Sequence, residues 1–266
     1  MISENRTSDR IRQSVVAVSA VLAIVGSFIG SGAAGGTPIQ DAAGGALSAD
    51  STQLAPAGPA FSIWSVIYLG LIAYAIWQFL PRQTSSPRQR ALGYPIAATL
   101  LLNAAWILSV QAGLLALSVV VIVVLLAALL FTFVRVVRTR RDGQGVVESI
   151  VVDGTVGLYL GWVSVATAAN ITAALTAAGF DGFGAAPEVW GVAIVVVTAA
   201  LGIALAAWDR GRLAPTASLA WGLAWVAVSR LTGELLSPPV AVAAVIAASA
   251  LVVATVVLRI VHLRMR

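Results

Sequence analysis

The side chains best suited to bind a small molecule are aromatic and amide residues that recur at helical spacing in three apolar segments. They are Phe61, Trp64 and Tyr68 in one segment, Asn103 and Trp106 in a second, and Tyr159, Trp162, Ala166 and Asn170 in a third. Spacings of three, four and seven residues place each group on one face of a helix. Indole and phenol rings stack well on flat apolar molecules, and a few amides can anchor polar atoms. The pattern therefore predicts non-covalent ligand binding between helices.

Most catalytic and metal-binding chemistry is excluded by residues that the sequence lacks. All 16 basic residues are Arg, so no Lys is present to form a Schiff base. There is no Cys, and the single His, His262, lies in the C-terminal tail, which excludes thiolate nucleophiles, zinc sites and histidine-based triads. No pair of carboxylates lies deep in an apolar segment. We therefore expect neither an enzyme nor a bound cofactor.

The composition predicts a membrane protein. The chain is 59% hydrophobic and only 10% charged, whereas soluble domains carry about 25% charged residues. A net charge of +5 in a soluble protein would suggest a nucleic-acid partner. Here the arginines stand between apolar runs, so they are better explained by orientation in the bilayer, and no nucleic-acid partner is expected.

Eight apolar segments approach the roughly 20 residues that span a bilayer. They lie near residues 12–33, 59–80, 92–111, 113–137, 149–177, 188–208, 212–231 and 238–262. The sequence therefore predicts an all-α membrane protein, a polytopic bundle of about eight transmembrane helices. The longest connection, residues 34–58, is rich in Gly, Ala, Ser and Pro and is expected to be mobile, or to fold as a lid over a cavity.

The arginines test the eight-span count independently. In that arrangement every arginine except Arg230 falls on the same side of the membrane. Because positive loops stay in the cytoplasm, we expect a protein of the cytoplasmic membrane with both termini inside the cell. Seven or nine spans would break this alternation.

Three motifs resemble those of one known family. They are Pro59–Tyr68 (PAFSIWSVIY), Asn103–Trp106 (NAAW) and Tyr159–Asn170 (YLGWVSVATAAN). The motifs are similar to the second-, third- and fifth-helix signatures of the TspO/MBR family, the tryptophan-rich sensory proteins related to the translocator protein. Their order and spacing follow the family's pattern over roughly residues 12–177.

The resemblance implies a TspO/MBR-like five-helix bundle over residues 1–178, followed by a three-helix C-terminal membrane extension over residues 179–266. It also implies a homodimer, and a cavity beneath the first loop that takes protoporphyrin IX, other tetrapyrroles or other apolar molecules for sensing, sequestration or transport. Trp64 and Trp162 would line this cavity, with the other aromatic and amide residues nearby. Because no Cys, His or Met lies near the motifs, axial metal coordination is excluded and metal-free porphyrin is the expected ligand.

The chain departs from the family pattern at two places. Residues 34–58 contain no aromatic residue, where the family carries a Trp-Tyr pair and a further Trp, and Leu158 replaces a Pro before the fifth-helix Tyr. An alternative function is therefore a small-molecule membrane transporter, or an accessory membrane subunit, with a ligand other than porphyrin.

Other residues have structural interpretations. Asn103 and Asn170 are expected to point into the bundle and to form hydrogen bonds between helices. Asp153 is predicted to pair with the arginines of residues 135–141, and Arg230 with Glu234. The spacings of Gly26 with Gly30 and of Gly157 with Gly161 predict helix packing. Trp221 and Trp225 share a face of the seventh helix and are expected to pack on the core bundle or face lipid, or alternatively to widen the cavity.

Overall fold

Eight long helices form the protein in a computed structural model that describes residues 2–30, 32, 37–141 and 143–265. They are α1 (Ile2–Gly30), α2 (Ile63–Trp77), α3 (Pro87–Gln111), α4 (Leu115–Arg138), α5 (Thr155–Ala177), α6 (Pro187–Asp209), α7 (Leu213–Thr232) and α8 (Pro238–Arg264). Each overlaps one predicted segment, so the all-helical, polytopic fold predicted from the sequence is confirmed. Residues 34–36 of the predicted loop lie outside the described residues.

Short helical pieces join or extend the long helices. A 3₁₀ turn, Gly58–Ser62, leads into α2, and a π-helical turn, Ser149–Gly154, leads into α5 after the short helix Val146–Glu148. Pro81–Thr84 is a single helical turn, whereas Ala42–Gly45 and Gly182–Gly184 are tight turns that contain residues with positive φ. A π turn inserts an extra residue per hydrogen-bonded ring, which shifts the side chains that follow it.

Seven of the eight long helices in the described part of the chain are long and apolar enough to cross a membrane. The exception is α7, whose 20 residues include Arg230 and several hydroxyl side chains. Gly161 and Gly222 show that α7 lies along α5, since the position of a Cβ on Gly161 is occupied by Pro215 and that on Gly222 by Val165. Its polar side chains, such as Ser218 and Arg230, are buried, whereas the exposed face carries apolar residues such as Leu213 and Val228, so the polar residues do not face lipid.

The helices pack in a chain of neighbours. α1 packs on α3, α3 on α4, α4 on α5, α5 on α7, α7 on α8, and α8 on α6. One apolar core joins the first five helices, and a second joins α6, α7 and α8 with Val165 of α5 and Leu54 of the first long connection. The last three helices are therefore joined to α5 mainly through α7, with a smaller contact from α6.

The paired glycines make their close contacts inside this chain. A Cβ on Gly161 would overlap the carbonyl oxygen of Pro215, and one on Gly157 would lie 2.8 Å from Ala214 Cβ. Gly26 and Gly30 of α1 face Ala104 and Ile107 of α3 in the same way. The predicted role in helix packing is confirmed, and the partners are intramolecular helices.

Pro95 interrupts the hydrogen bonding of α3 without ending the helix. A proline cannot donate to the carbonyl four residues earlier, which here belongs to Ala91. Arg135 Nη1 of α4 donates to this carbonyl at 3.3 Å. A neighbouring helix thus satisfies the group that the proline leaves open, as membrane helices require.

Candidate functional site

The aromatic residues of α2 and α5 meet in one cluster. Trp64 lies 5.5 Å from Tyr68, 5.7 Å from Tyr159 and 6.3 Å from Trp162, measured between ring centroids. Phe61, in the 3₁₀ turn before α2, lies 5.8 Å from Trp162. The contacts with α5 are edge-to-face, a favoured geometry for aromatic pairs. Two motifs separated by about 100 residues in the sequence are therefore joined through Trp64.

The amides hold the helices around this cluster. Asn103 Nδ2 donates to the Tyr68 hydroxyl, and Trp106 Nε1 donates to Asn170 Oδ1 at 2.9 Å. Asn170 Nδ2 donates in turn to Ser118 Oγ at 2.9 Å. Asn103 and Asn170 are fully buried. The predicted inward orientation and interhelical hydrogen bonds are confirmed, and Ser118 of α4 is a partner that sequence reasoning missed.

A cavity of about 410 Å³ opens beside the cluster, between α1, α2 and α3. We call it the aromatic groove. Four of the predicted site residues, Phe61, Trp64, Tyr68 and Trp106, line it. The wall contributed by α1 was not predicted as part of the site: Ile24, Ser27, Phe28 and Gly30. The Gly26–Gly30 spacing was the only sequence signal that α1 comes this close to α3.

A second, much smaller cavity of about 30 Å³ lies beneath residues 46–57, which we call the lid segment. Phe61, Trp106, Trp162, Ala166 and Asn170 line it from below. A volume of this size holds one or two water molecules. Trp162 is buried against the lid segment, and its Nε1 has no hydrogen-bond partner within the described structure.

Two predicted site residues line neither of these cavities. Tyr159 is fully buried and donates its hydroxyl hydrogen to the carbonyl oxygen of Thr99 at 3.2 Å. Asn103 lies behind Tyr68, to which it is hydrogen-bonded. Both residues therefore position the rings that face the cavities.

The lid segment is bound to α7 at both ends. Ser229 Oγ donates to the Ala49 carbonyl oxygen at 3.1 Å, and the amide of Ala57 donates to the Trp225 carbonyl oxygen at 3.1 Å. Trp221 Nε1 donates to the Ala60 carbonyl oxygen at 3.0 Å, just beyond the lid segment. The connection predicted to be mobile or lid-like thus folds as a lid, and the seventh helix holds it.

The prediction that Arg230 pairs with Glu234 is wrong. The Arg230 guanidinium is fully buried, donates to the Ala49 carbonyl oxygen and lies 3.9 Å from the Asp50 carboxylate. Asp50 also accepts a hydrogen bond from the backbone amide of Glu234 at 2.9 Å. The helix ends at Thr232, before Glu234, and folding of the lid segment brings Asp50, 180 residues away in the sequence, close to Arg230.

The rings of Trp221 and Trp225 pack together at 5.6 Å. Trp225 also packs on the core of the first five helices. Of the predicted alternatives, core packing is confirmed for Trp225, whereas Trp221 is 38% exposed, and neither residue lines the aromatic groove.

A buried charge network lies at the opposite, arginine-rich end of the bundle. Asp153 accepts hydrogen bonds from Arg88, from Arg140 at 2.8 Å and from Arg212 at 3.4 Å. The predicted pairing with the 135–141 arginines is confirmed through Arg140, whereas the other two partners were not predicted. Burial lowers the pKa of Arg212, and the Asp153 carboxylate opposes this effect. Asp153 lies in the π turn at residues 149–154 and meets Arg88 of α3, Arg140 just after α4 and Arg212 just before α7.

These features define a class: an all-helical, multi-pass membrane protein with an aromatic groove among its first helices. The chain belongs to the TSPO-like protein family, whose model matches residues 17–257. The match continues through α6 and α7 into α8, well beyond the motifs that suggested the family. No curated protein and no solved structure matches the chain.

Proposed function

We propose that this protein binds an apolar small molecule, with protoporphyrin IX as the first candidate, in the aromatic groove inside the bilayer. The observation that carries the proposal is the 410 Å³ cavity walled by Phe61, Trp64, Tyr68 and Trp106. Small-molecule sites typically measure about 300–1,000 Å³, are mostly apolar and contain few polar anchors. Ser27, Ser65 and the Tyr68 hydroxyl supply such anchors here.

The rim of the groove favours access from the bilayer. Ile24 and Phe28 of α1 are 38% and 55% exposed, and both line the groove. Apolar side chains exposed on a membrane helix face lipid. A molecule dissolved in the bilayer can therefore reach the rings of α2 laterally, while the lid segment closes the bundle end.

The lining favours binding over catalysis. Among the residues that line the groove there is no carboxylate, His, Lys or Arg to move a proton. The groove is also lined by no His, Cys or Met that could ligate haem iron, and the hydroxyl of Tyr68 is already hydrogen-bonded to Asn103, so a tetrapyrrole would be held by stacking and by hydrogen bonds to its edge. Sensing, sequestration and transport all begin with this binding step.

One observation supports the alternative function, transport or an accessory role with a smaller ligand. The lid segment has no aromatic side chain, and the cavity directly beneath it holds only water-sized molecules. A porphyrin would therefore receive no stacking partner from the lid, whereas a smaller apolar molecule would need none.

A titration with protoporphyrin IX tests the proposal. The purified protein in detergent is compared with Trp64→Leu and with Trp208→Leu, using the Soret band and tryptophan quenching. Trp208 lies on α6 against Phe133 and is 46% exposed, so it is a matched control outside the groove. We expect saturable binding that Trp64→Leu weakens at least tenfold, about 1.4 kcal/mol, and that Trp208→Leu leaves unchanged.

Equal binding by all three proteins would contradict the proposal. Absence of saturable porphyrin binding to the wild type, together with retention of a smaller apolar probe that Trp64→Leu loses, would favour the alternative function.

Two further proposals concern the assembly. The arginine distribution supports a cytoplasmic-membrane protein with both termini inside, which cysteine-accessibility labelling at introduced cysteines in either tail can test. Family resemblance supports a homodimer. Because the four glycines of the paired motifs contact helices of the same chain, such a dimer would use a different surface.

A further inference from the structure

A third cavity, of about 440 Å³, lies at the arginine-poor end of the bundle and shares no lining residue with the aromatic groove. We call it the end cavity. Its walls are residues 51–54 of the lid segment, the last turns of α5, residues 180–185 and the first two turns of α6. It therefore exists only because the last three helices pack beside the first five.

Two polar side chains of the lid segment line this cavity with unused hydrogen-bonding atoms. Thr52 is 5% exposed and Gln53 is 7% exposed. Neither Thr52 Oγ1 nor Gln53 Oε1 has a hydrogen-bond partner among the described residues. Buried polar atoms are nearly always paired, since an unpaired one costs the full desolvation of the group. A molecule that brings a hydrogen-bond donor into the cavity would remove this cost.

Gly191 of α6 fixes Gln53 at this position. A Cβ on Gly191 would lie 3.0 Å from Gln53 Cβ and 2.8 Å from Val240. The absent side chain thus leaves room for the amide to pack directly against α6. The same helix supplies Trp190, whose Nε1 is already used in a 3.0 Å hydrogen bond to the Gly182 carbonyl oxygen, so this indole offers mainly its apolar ring.

The charge at the cavity selects against anions. The lining residues include the Asp181 carboxylate and no Arg, Lys or His. Asp181 Oδ1 already accepts a hydrogen bond from the backbone amide of Phe183 at 3.0 Å. An acidic ligand would meet like charge, whereas a neutral hydroxyl would meet acceptors, with apolar walls from Leu54, Leu175 and Ile194.

From these observations we propose that the end cavity is a second binding site, for a neutral amphiphile with an apolar body and a hydroxyl group. The hydroxyl donates to Gln53 Oε1 or Thr52 Oγ1, and the apolar body lies between α5 and α6. The position of the cavity near helix ends suits such a molecule, because a bilayer holds hydroxyl groups at its interface and apolar chains below it.

Photolabelling of the full chain in phosphatidylcholine vesicles tests this assignment. The probe is a medium-chain fatty alcohol that carries a diazirine and an alkyne, and the labelled peptides are located by mass spectrometry. Two matched probes with the same chain end in a carboxylic acid or a methyl ether. We expect the alcohol to label residues 172–194 saturably, and unlabelled alcohol to compete with this labelling. The acid and the ether should label the same residues at least about fivefold less.

Three variants complete the test. Gln53→Leu keeps the side-chain volume and removes the acceptor, so alcohol labelling should fall about fivefold. Thr176→Trp fills the cavity from an exposed position and should abolish labelling. Ile72→Trp fills the aromatic groove instead and should leave labelling at residues 172–194 unchanged.

Folding is checked separately by thermal melting without probe. Gln53→Leu removes an unpaired buried atom, so it should melt no lower than the wild type. If this variant did not fold, Thr176→Trp and the matched probes would still decide the matter. Equal labelling by all three probes, or labelling that Thr176→Trp leaves intact, would show ordinary lipid contact and overturn the proposal.

Discussion

The first five helices and the last three have different side chains in their interiors, although both groups of helices are suited to the same lipid bilayer. In the first five, aromatic rings and hydrogen-bonded amides fill the centre, as in the Trp106–Asn170–Ser118 chain. In the last three, the core consists of Ala, Val and Leu, with small residues such as Gly191 and Gly202 at the contacts. The aromatic groove therefore lies within the first region, whereas the second region packs closely around small and aliphatic side chains.

Within the last three helices, α7 contacts one connecting segment in particular, the lid segment. α7 holds the lid segment through Ser229, Arg230 and the Trp225 carbonyl oxygen. The last three helices thus fix the backbone of a lid segment that carries no aromatic side chain.

The largest effect is expected where the two regions share a buried charge. Asp153→Leu leaves the buried Arg88, the partly buried Arg212 and the exposed Arg140 without their common carboxylate. Removal of one partner from such a network costs about 3–5 kcal/mol. Thermal melting in detergent should show a large loss of stability. Glu234→Gln, at an exposed side chain, is the control and should change little.

The double variant Asp153→Leu, Arg88→Met sharpens this prediction. It removes the most buried cation together with the carboxylate, so part of the lost stability should return. A double variant less stable than Asp153→Leu alone would contradict the view that the charges act as one network.

The second effect concerns the glycine seam between the regions. Gly161→Leu places a side chain where the Pro215 carbonyl oxygen and Ser218 Oγ already lie. Since backbone cannot move aside easily, we expect a loss of about 3 kcal/mol and separation of α7 from α5. Gly145→Ala meets no atom within 4 Å and serves as the control. Unchanged melting of Gly161→Leu would mean that the two regions do not pack as described.

The third effect should be local. Arg230→Met removes the hydrogen bond to Ala49 and one buried charge together. The free energy of global unfolding should therefore change less than the free energy of local opening of the lid segment. Hydrogen bonds to charged groups contribute about 1.5–3 kcal/mol. Hydrogen exchange of residues 46–57 should therefore accelerate about tenfold or more, while exchange in α3 and α4 stays constant. Uniform acceleration throughout the chain would instead indicate global destabilisation.

The smallest effects come from single indole hydrogen bonds in each region. Trp106→Phe loses the buried bond to Asn170, at a cost of about 1–2 kcal/mol. Trp221→Phe loses the bond to Ala60 from a site that is 38% exposed, so it should cost less, about 0.5 kcal/mol. Chemical denaturation of both variants would measure the difference. A larger loss of stability in Trp221→Phe than in Trp106→Phe would contradict the view that specific hydrogen bonds are concentrated in the first five helices.

Predictions from the sequence succeeded for properties that each helix has by itself, namely its apolar length and the periodicity of its side chains. Bilayer thickness fixes the length of apolar runs, so every long helix was located, and its ends were placed within about six residues except at the start of α1, which begins ten residues before the predicted segment. Helical periodicity likewise predicted which rings share a face of α2 and which amides point inward. These predictions needed no knowledge of which helix is whose neighbour.

Only the tertiary structure decided which faces meet. Trp64 and Trp162 have the same chemistry in the sequence, yet Trp64 lines a 410 Å³ groove and Trp162 is enclosed beneath the lid segment. The α1 wall, the α7 contacts of the lid and the partners of Arg230 all join residues far apart in the chain. Such contacts depend on how close two helices come and on which loop lies between them. A single sequence does not encode those distances in any local pattern, whereas it does encode the apolar length and the facial periodicity of each helix by itself.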